Sequence, residues 1–222
     1  MDANRRQEVF ERYCEIYNVI LSNMYPAKNS TGFPERNLSV NFSKAYEAVA
    51  KSAGEMVISW FEMQFGAGNN LHIDAVIINE TVGDMLIVES KRFSDTEGKP
   101  KEVAEDIRRI FNFIKELQDE NKKGEPRIDL SKIKNRYGVI LADVWVKTDG
   151  KTGGKKEILN SYIAGVQCPK SPESFLNKYC KEDLKDRDFP NLVYNVYNMR
   201  DISFNDYNFE KYNLVSLIWQ IT

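Results

Sequence analysis

Three β-type segments follow one another in the middle of the chain, and they restrict the possible folds more than any other feature. Residues 56–65, 71–79 and 85–93 are rich in β-branched and aromatic side chains, and turns around Gly66 and Gly83 separate them. Short connections join neighbouring antiparallel strands, whereas parallel strands need a crossover of roughly a dozen residues or more. We therefore predict a three-stranded antiparallel meander.

A long amphipathic helix and a further strand follow the meander. Pro100 suits the first helical position, and Lys122-Lys123-Gly124 suits the C-terminal end. Between them, apolar residues recur at spacings of three and four: Val103, Ile107, Ile110, Ile114 and Leu117. Residues 137–146 are a continuous apolar run, which is typical of a strand buried on both faces. This order predicts a mixed sheet covered by helices.

Two helices are predicted before the first strand. An apolar stripe over residues 9–24 indicates a helix that Pro26 ends, and residues 26–40 are expected to form a loop. Ser43 is a suitable N-cap for a second helix that stops near Gly54.

After the strand at 137–146, we expect another strand at residues 158–166, a short helix near residues 171–173 and an apolar strand at the end of the chain. The whole chain, residues 1–222, is predicted to be a single mixed α/β domain. Its central part has the order α-β-β-β-α-β.

The charge balance and the scarcity of histidine and cysteine limit the chemistry. The 31 Lys and Arg against 33 Asp and Glu give a net charge of −2, so nucleic-acid binding would need a local basic patch. His72 is the single histidine, and the three cysteines are too few and too scattered for a disulfide framework or a zinc cluster. With no apolar run of about 18 residues and no signal-peptide pattern at the start, we expect a cytoplasmic protein without a membrane partner.

Charged residues interrupt two of the apolar strands. Asp74 lies in the second strand, and Glu89 and Lys91 lie in the third, where residues two apart share a face. A hairpin between these strands would bring Asp74 close to Glu89, and two carboxylates about 4 Å apart repel by roughly 4 kcal/mol at an effective dielectric of about 20. A Mg²⁺ ion would offset this repulsion. With Lys91 as a cationic donor beside it, the set suits phosphodiester hydrolysis.

This pattern resembles the PD-(D/E)xK nuclease superfamily, whose members have the restriction-endonuclease-like fold. The resemblance rests on Ile73-Asp74 and Glu89-Ser90-Lys91 within the α-β-β-β-α-β order, with Ile73 in place of the family's proline. It implies that Asp74 and Glu89 ligate Mg²⁺, with Mn²⁺ as a substitute, and that Lys91 positions or activates the attacking water. Glu47 best matches the family's early-helix glutamate, and Glu55 is the second match.

The resemblance covers about half of the chain and implies an organisation for the rest. A nuclease-like core would span about residues 41–146, between a helical extension at 1–40 and an α/β addition at 147–222 that shape a nucleic-acid groove or a homodimer contact. The implied substrate is DNA. Basic residues that could contact its phosphates are Lys99, Lys101 and Arg108, with Arg109 and Lys115 in the same set.

Other interpretations of the same residues stay open. Asp74, Glu89 and Lys91 could form a structural ion pair in a nuclease-fold binding or assembly module that has no catalytic activity. A Ser- or Cys-based hydrolase would have to use His72 as its base and has no GxSxG-type elbow. Tyrosines of the tail could stack on bases or simply pack against the core: Tyr194, Tyr197, Tyr207 and Tyr212.

Overall fold

A computed structural model describes most of the chain outside one long internal segment. The described residues are 1–26, 33–66, 71–93, 99–145, 189–205, 207–209 and 212–222. The strand predicted at 158–166 and the helix predicted near 171–173 lie outside them.

The described helices are α1 (Ala3–Asn23), α2 (Glu35–Ser52), α3 (Lys99–Lys123) and a short 3₁₀ helix at Leu130–Lys132. Helix α3 agrees with the prediction, but the predicted start of α2 at Ser43 is wrong. The helix begins directly after Pro34, because Leu38 and Phe42 continue its apolar stripe and are buried. Ser43 lies in the middle of the helix, where its hydroxyl donates to Ser59 Oγ at 2.6 Å.

The described strands form a six-stranded sheet and a two-stranded sheet. In chain order they are β1 (Val57–Phe65), β2 (Leu71–Asn79), β3 (Asp84–Phe93), β4 (Asn135–Trp145), β5 (Val193–Asn198), β6 (Ser203–Phe204), β7 (Tyr207–Asn208) and β8 (Tyr212–Ile221). The larger sheet has the order β1-β2-β3-β4-β8-β5, and β6 pairs with β7.

The pairing directions confirm a mixed sheet. Strands β1, β2 and β3 form the predicted antiparallel meander, and β4 runs parallel to β3 after the crossover through α3. Strand β8 pairs antiparallel with both β4 and β5, so the C-terminal strand lies inside the sheet.

Helices cover both faces of the sheet, and each face has its own core. Helix α3 contributes Ile107 and Ile110 to one core, where they join Ile87 and Trp219 of the sheet. Helices α1 and α2 cover the other face with side chains that include Tyr13 and Phe42. The continuous apolar character of β3 and β4 follows, because alternate residues of these strands face opposite cores.

The glycine at position 138 leaves room for a large side chain in the core under α3. A Cβ at Gly138 of β4 would lie 2.1 Å from Cζ2 of Trp219, which is fully buried on the neighbouring strand β8. The indole therefore occupies the space that any other residue at 138 would need.

The described helices include none that is both long enough and apolar enough to cross a membrane. The fold is mixed α/β, with a six-stranded mixed sheet between helices.

Candidate functional site

The candidate site lies where β2 and β3 separate. Their paired register runs from Asn79↔Asp84 to Ala75↔Val88, while β3 continues beside β4 as far as Phe93. Asp74 and Glu89 are thus the first residues beyond the paired stretch on their strands. Asp74 Oδ2 accepts a hydrogen bond of 2.7 Å from the backbone N–H of Ser90. The carboxylate occupies the place on this side of β3 where a strand partner would otherwise bind.

A local irregularity turns β2 at Asp74. In a regular strand Ile73 and Ala75 would share a face, but Ile73 packs in the α3 core and Ala75 in the opposite core. On β1, the residue between the pairs Phe61↔Ala75 and Met63↔Ile73 is Glu62, which has a φ of 54°. The alternation of both β1 and β2 therefore breaks next to Asp74.

Glu89 is buried on the face covered by α3. Its side chain is 2% exposed, and Oε1 accepts from Arg109 Nη1 at 3.2 Å. Burial, followed by the negative charges of Asp74 and Asp106, raises the pKa of Glu89 to about 9 although Arg109 opposes the shift. Glu89 therefore carries a proton at neutral pH unless a further positive charge is present.

The pKa of Asp74 is also raised, but by less than that of Glu89. Burial raises its pKa to about 6; the hydrogen bond from Ser90 opposes this, and the charge of Asp106 adds to it. The negative charge of Asp74 contributes to the raised pKa of Glu89, and the N–H that donates to Asp74 belongs to Ser90, the residue after Glu89. The fold therefore places the Asp74 carboxylate against the backbone next to Glu89, while metal ligation by the two acids stays a prediction.

Lys91 shares the face of Glu89 but forms its ion pairs with α3. Its Nζ lies 3.2 Å from Asp106 Oδ2 and 3.5 Å from Glu102 Oε2. Burial alone would lower the pKa of Lys91, but Asp106, Glu35 and Glu102 together raise it above its usual value. Lys91 is therefore an ammonium at neutral pH, and it projects from the same face of β3 as Glu89.

Two further groups of the site, Asp106 and Arg109, come from α3. Arg109 Nη1 lies 3.2 Å from Asp106 Oδ1 and the same distance from Glu89, so Asp106 links the two cations of the site. Sequence reasoning missed Asp106, although a signal was present. It lies three residues after Val103 and four before Ile110, on the apolar stripe of an amphipathic helix.

Glu35 is the acidic residue of α2 that comes closest to the site. Its Oε1 accepts from the backbone N–H of Arg92 at 2.8 Å, and its charge acts on Asp74, Lys91 and Asp106. The sequence analysis assigned Glu35 to a loop, but the Pro34-Glu35 pair at the helix start was an available signal.

The structure does not bring Glu47 to the other predicted site residues. Glu47 Oε1 accepts from Ser59 Oγ at 2.5 Å. Ser59 is paired with Ile77, which packs in the core under α1 and α2, whereas Glu89 faces α3. Glu55, the second match, pairs with Arg5 and accepts from Asn79, well away from Asp74 on β2.

The other residues considered in the sequence analysis differ in how far they are buried. Lys99 and Lys101 belong to the first turn of α3, and their side chains lie outside the described part of the structure. Arg108 is half-buried in the same helix. His72 is half-exposed, with Nδ1 3.8 Å from Glu62 Oε2. Tyr212 is fully buried and its hydroxyl lies 3.4 Å from Asp143 Oδ2, so it packs in the core.

A divalent cation at this site would depend on two carboxylates. Among the described residues, no group of three or more His, Cys, Asp or Glu side chains is arranged to hold a metal ion. The described contacts of Asp74 use Oδ2 and those of Glu89 use Oε1, which leaves Oδ1 and Oε2 for a ligand. Mg²⁺ commonly binds one or two carboxylates and completes its coordination with water and phosphate oxygens, so the donor set fits this ion.

No family model, no curated protein and no solved structure matches the chain.

Proposed function

We propose that the protein is a Mg²⁺-dependent nuclease that cleaves phosphodiester bonds in DNA and belongs to the restriction-endonuclease-like group. One observation carries the proposal: where β2 and β3 separate, the Asp74 carboxylate accepts from the N–H next to Glu89, and Lys91 lies two residues after Glu89 on the same strand. A buried acid such as Glu89 next to the half-buried Asp74 is unfavourable without compensating positive charge.

The roles of the side chains follow from their charges. Asp74 and Glu89 would hold Mg²⁺, which lowers the pKa of bound water and polarises a phosphoryl oxygen. Lys91 supplies an ammonium that donates to the attacking water or to the phosphate. The guanidinium of Arg109 adds positive charge on the α3 side, where negative charge develops in the transition state.

The topology supports the proposal independently of the acids. The chain follows the α-β-β-β-α-β order through α2, β1, β2, β3, α3 and β4, and β3 and β4 are parallel. This element order is the one that the resemblance implies, and it supports the proposal.

The direct test is cleavage of plasmid, linear and single-stranded DNA in the presence of Mg²⁺, Mn²⁺ or EDTA. We expect cleavage with either metal and none with EDTA. The variants Asp74→Asn, Glu89→Gln and Lys91→Met should each lower the rate by roughly 10²-fold or more, as removal of a transition-state contact does.

Matched controls come from the exposed side of α3. Asp119→Asn and Lys122→Met make the same kinds of change at a half-exposed and an exposed position, where the two side chains form an ion pair at 3.6 Å. Both variants should cleave at the wild-type rate. Cleavage that persists in the Asp74 and Glu89 variants would refute the assignment.

A binding or assembly module without catalysis is the second candidate. It is favoured by the ion pairs of Lys91 and Arg109 with Asp106, because these cations are already neutralised within the fold. Such a module would bind DNA tightly without metal and leave it intact in every condition of the cleavage test.

A further inference from the structure

Asp106 is a buried acid whose charge is compensated from the candidate site. It is 1% exposed, Oδ2 lies 3.2 Å from Lys91 Nζ, and Oδ1 lies 3.2 Å from Arg109 Nη1. The two cations therefore offset the negative charge of Asp106. Removing one partner of such a buried pair leaves an uncompensated charge, and the remaining groups rearrange.

Lys91 has a choice of acidic partners. It is two residues from Glu89 on β3, so both side chains project from the same face of the strand. Without the acids of α3, its ammonium could turn toward Glu89 on the same face and toward the neighbouring Asp74; the charge of Glu35 also acts on Lys91. There it would compete with a cation for the same oxygens.

Within the described residues, the ion pairs of Lys91 lead toward α3. Its described ion pairs are with Asp106 and the half-exposed Glu102, both on α3. Arg109 is also shared, since one nitrogen lies between Glu89 and Asp106. Asp106 is therefore the common anchor of both cations.

We propose that Asp106 is a positioning residue that holds Lys91 on the α3 side and so keeps Asp74 and Glu89 available for a divalent cation. This inference rests on the proposed function, and it concerns how the site is kept ready for its metal. Asp106 acts through Lys91 and does not itself touch the cation.

The test is the affinity of the full-length protein for Mn²⁺ in the absence of DNA, measured by electron paramagnetic resonance of the free ion. Asp106→Asn should weaken binding about tenfold, within the usual coupling range of contacting charged residues. Lys91→Met alone should not weaken it. In the double variant, binding should return to within about threefold of Lys91→Met, because the competing ammonium is gone.

If Asp106→Asn acted only by removing negative charge or by damaging the structure, it would weaken Mn²⁺ binding equally in proteins with Lys91 and with Lys91→Met. Equal effects of Asp106→Asn with and without Lys91 would therefore overturn the inference. A wild-type protein that binds Mn²⁺ and cleaves DNA, together with an unaltered Asp106→Asn variant, would overturn the inference alone. A wild-type protein that neither binds Mn²⁺ nor cleaves DNA would overturn the proposed function as well.

Glu102→Gln provides the same comparison at a position where folding is not at risk. Glu102 is half-exposed and is the second partner of Lys91. We expect Glu102→Gln to weaken Mn²⁺ binding by about two- to threefold when Lys91 is present and not when it is methionine. Circular dichroism and thermal melting of each variant establish that the compared proteins are folded, and equal weakening in both backgrounds again overturns the inference.

Discussion

Replacing Glu89 with glutamine should change how the stability of the protein depends on pH. Burial raises the pKa of Glu89 from its ordinary value of 4.5 to about 9. Between these two values the folded state keeps a proton that the unfolded state has lost. The free energy of unfolding that Glu89 contributes is therefore full below the lower value and declines as the pH rises toward the upper one. Glutamine has no such proton.

The slope follows from linkage. One extra proton in the folded state lowers the free energy of unfolding by about 1.4 kcal/mol for each pH unit. From about pH 6 to about pH 8, the wild type should thus lose roughly 3 kcal/mol relative to Glu89→Gln. Asp74 and Asp143, whose pKa values are raised to about 6 and about 7, titrate in both proteins and largely cancel in the comparison.

Urea unfolding with EDTA present, followed by tryptophan fluorescence across this pH range, measures the difference. The buried Trp219 is a suitable reporter of the folded core. Glu89→Gln keeps the acceptor for Arg109, so the two proteins should have similar stability at the acid end. If the free energy of unfolding depended on pH in the same way in the wild type and in the variant, Glu89 would ionise as an exposed glutamate does. That result would contradict the raised pKa of Glu89.

Three further predictions concern the metal and the core. Mg²⁺ or Mn²⁺ should raise the melting temperature of the wild type, since a ligand that binds only the folded state stabilises it, and Glu89→Gln should remove the rise; an equal rise in both proteins would contradict the site. Gly138→Ala should lower the free energy of unfolding by roughly 1–3 kcal/mol or more, because its Cβ would lie 2.1 Å from the buried indole of Trp219; a urea titration that places its midpoint at the wild-type value would show that the indole can move. Ile107→Ala should lower the free energy of unfolding by about 2–5 kcal/mol, because Ile107 is fully buried against the sheet. Val19→Ala, at a side chain that is 65% exposed, should change it by less than about 0.5 kcal/mol. Similar losses of stability in both variants would contradict the assignment of the core.

The central elements could be predicted because their signals are local. Apolar runs bounded by glycine mark β1, β2 and β3, and regular spacing from Val103 to Leu117 marks α3. The closeness of Asp74 and Glu89 followed from the turn between their strands, since antiparallel pairing across a short connection fixes which residues meet.

The α3 and α2 contributions to the site could not be predicted in the same way. Asp106 contacts Lys91 because the crossover helix packs on the sheet. The spacing of residues along the sequence does not predict this long-range contact. Helix α2 was predicted too short, so Glu35 was overlooked and Glu47 was chosen instead. Which face of the sheet a helix covers is decided by long-range packing, and this placed Glu47 opposite Glu89.

A crystal soaked in Mn²⁺ would show whether Asp74 and Glu89 bind one divalent cation. Anomalous scattering locates the ion without reference to the protein. We expect one anomalous peak within about 2.0–2.6 Å of carboxylate oxygens from both Asp74 and Glu89. The ammonium of Lys91 should lie near this peak but not between the two carboxylates. No peak at saturating Mn²⁺, or a peak that involves neither carboxylate, would contradict this expectation.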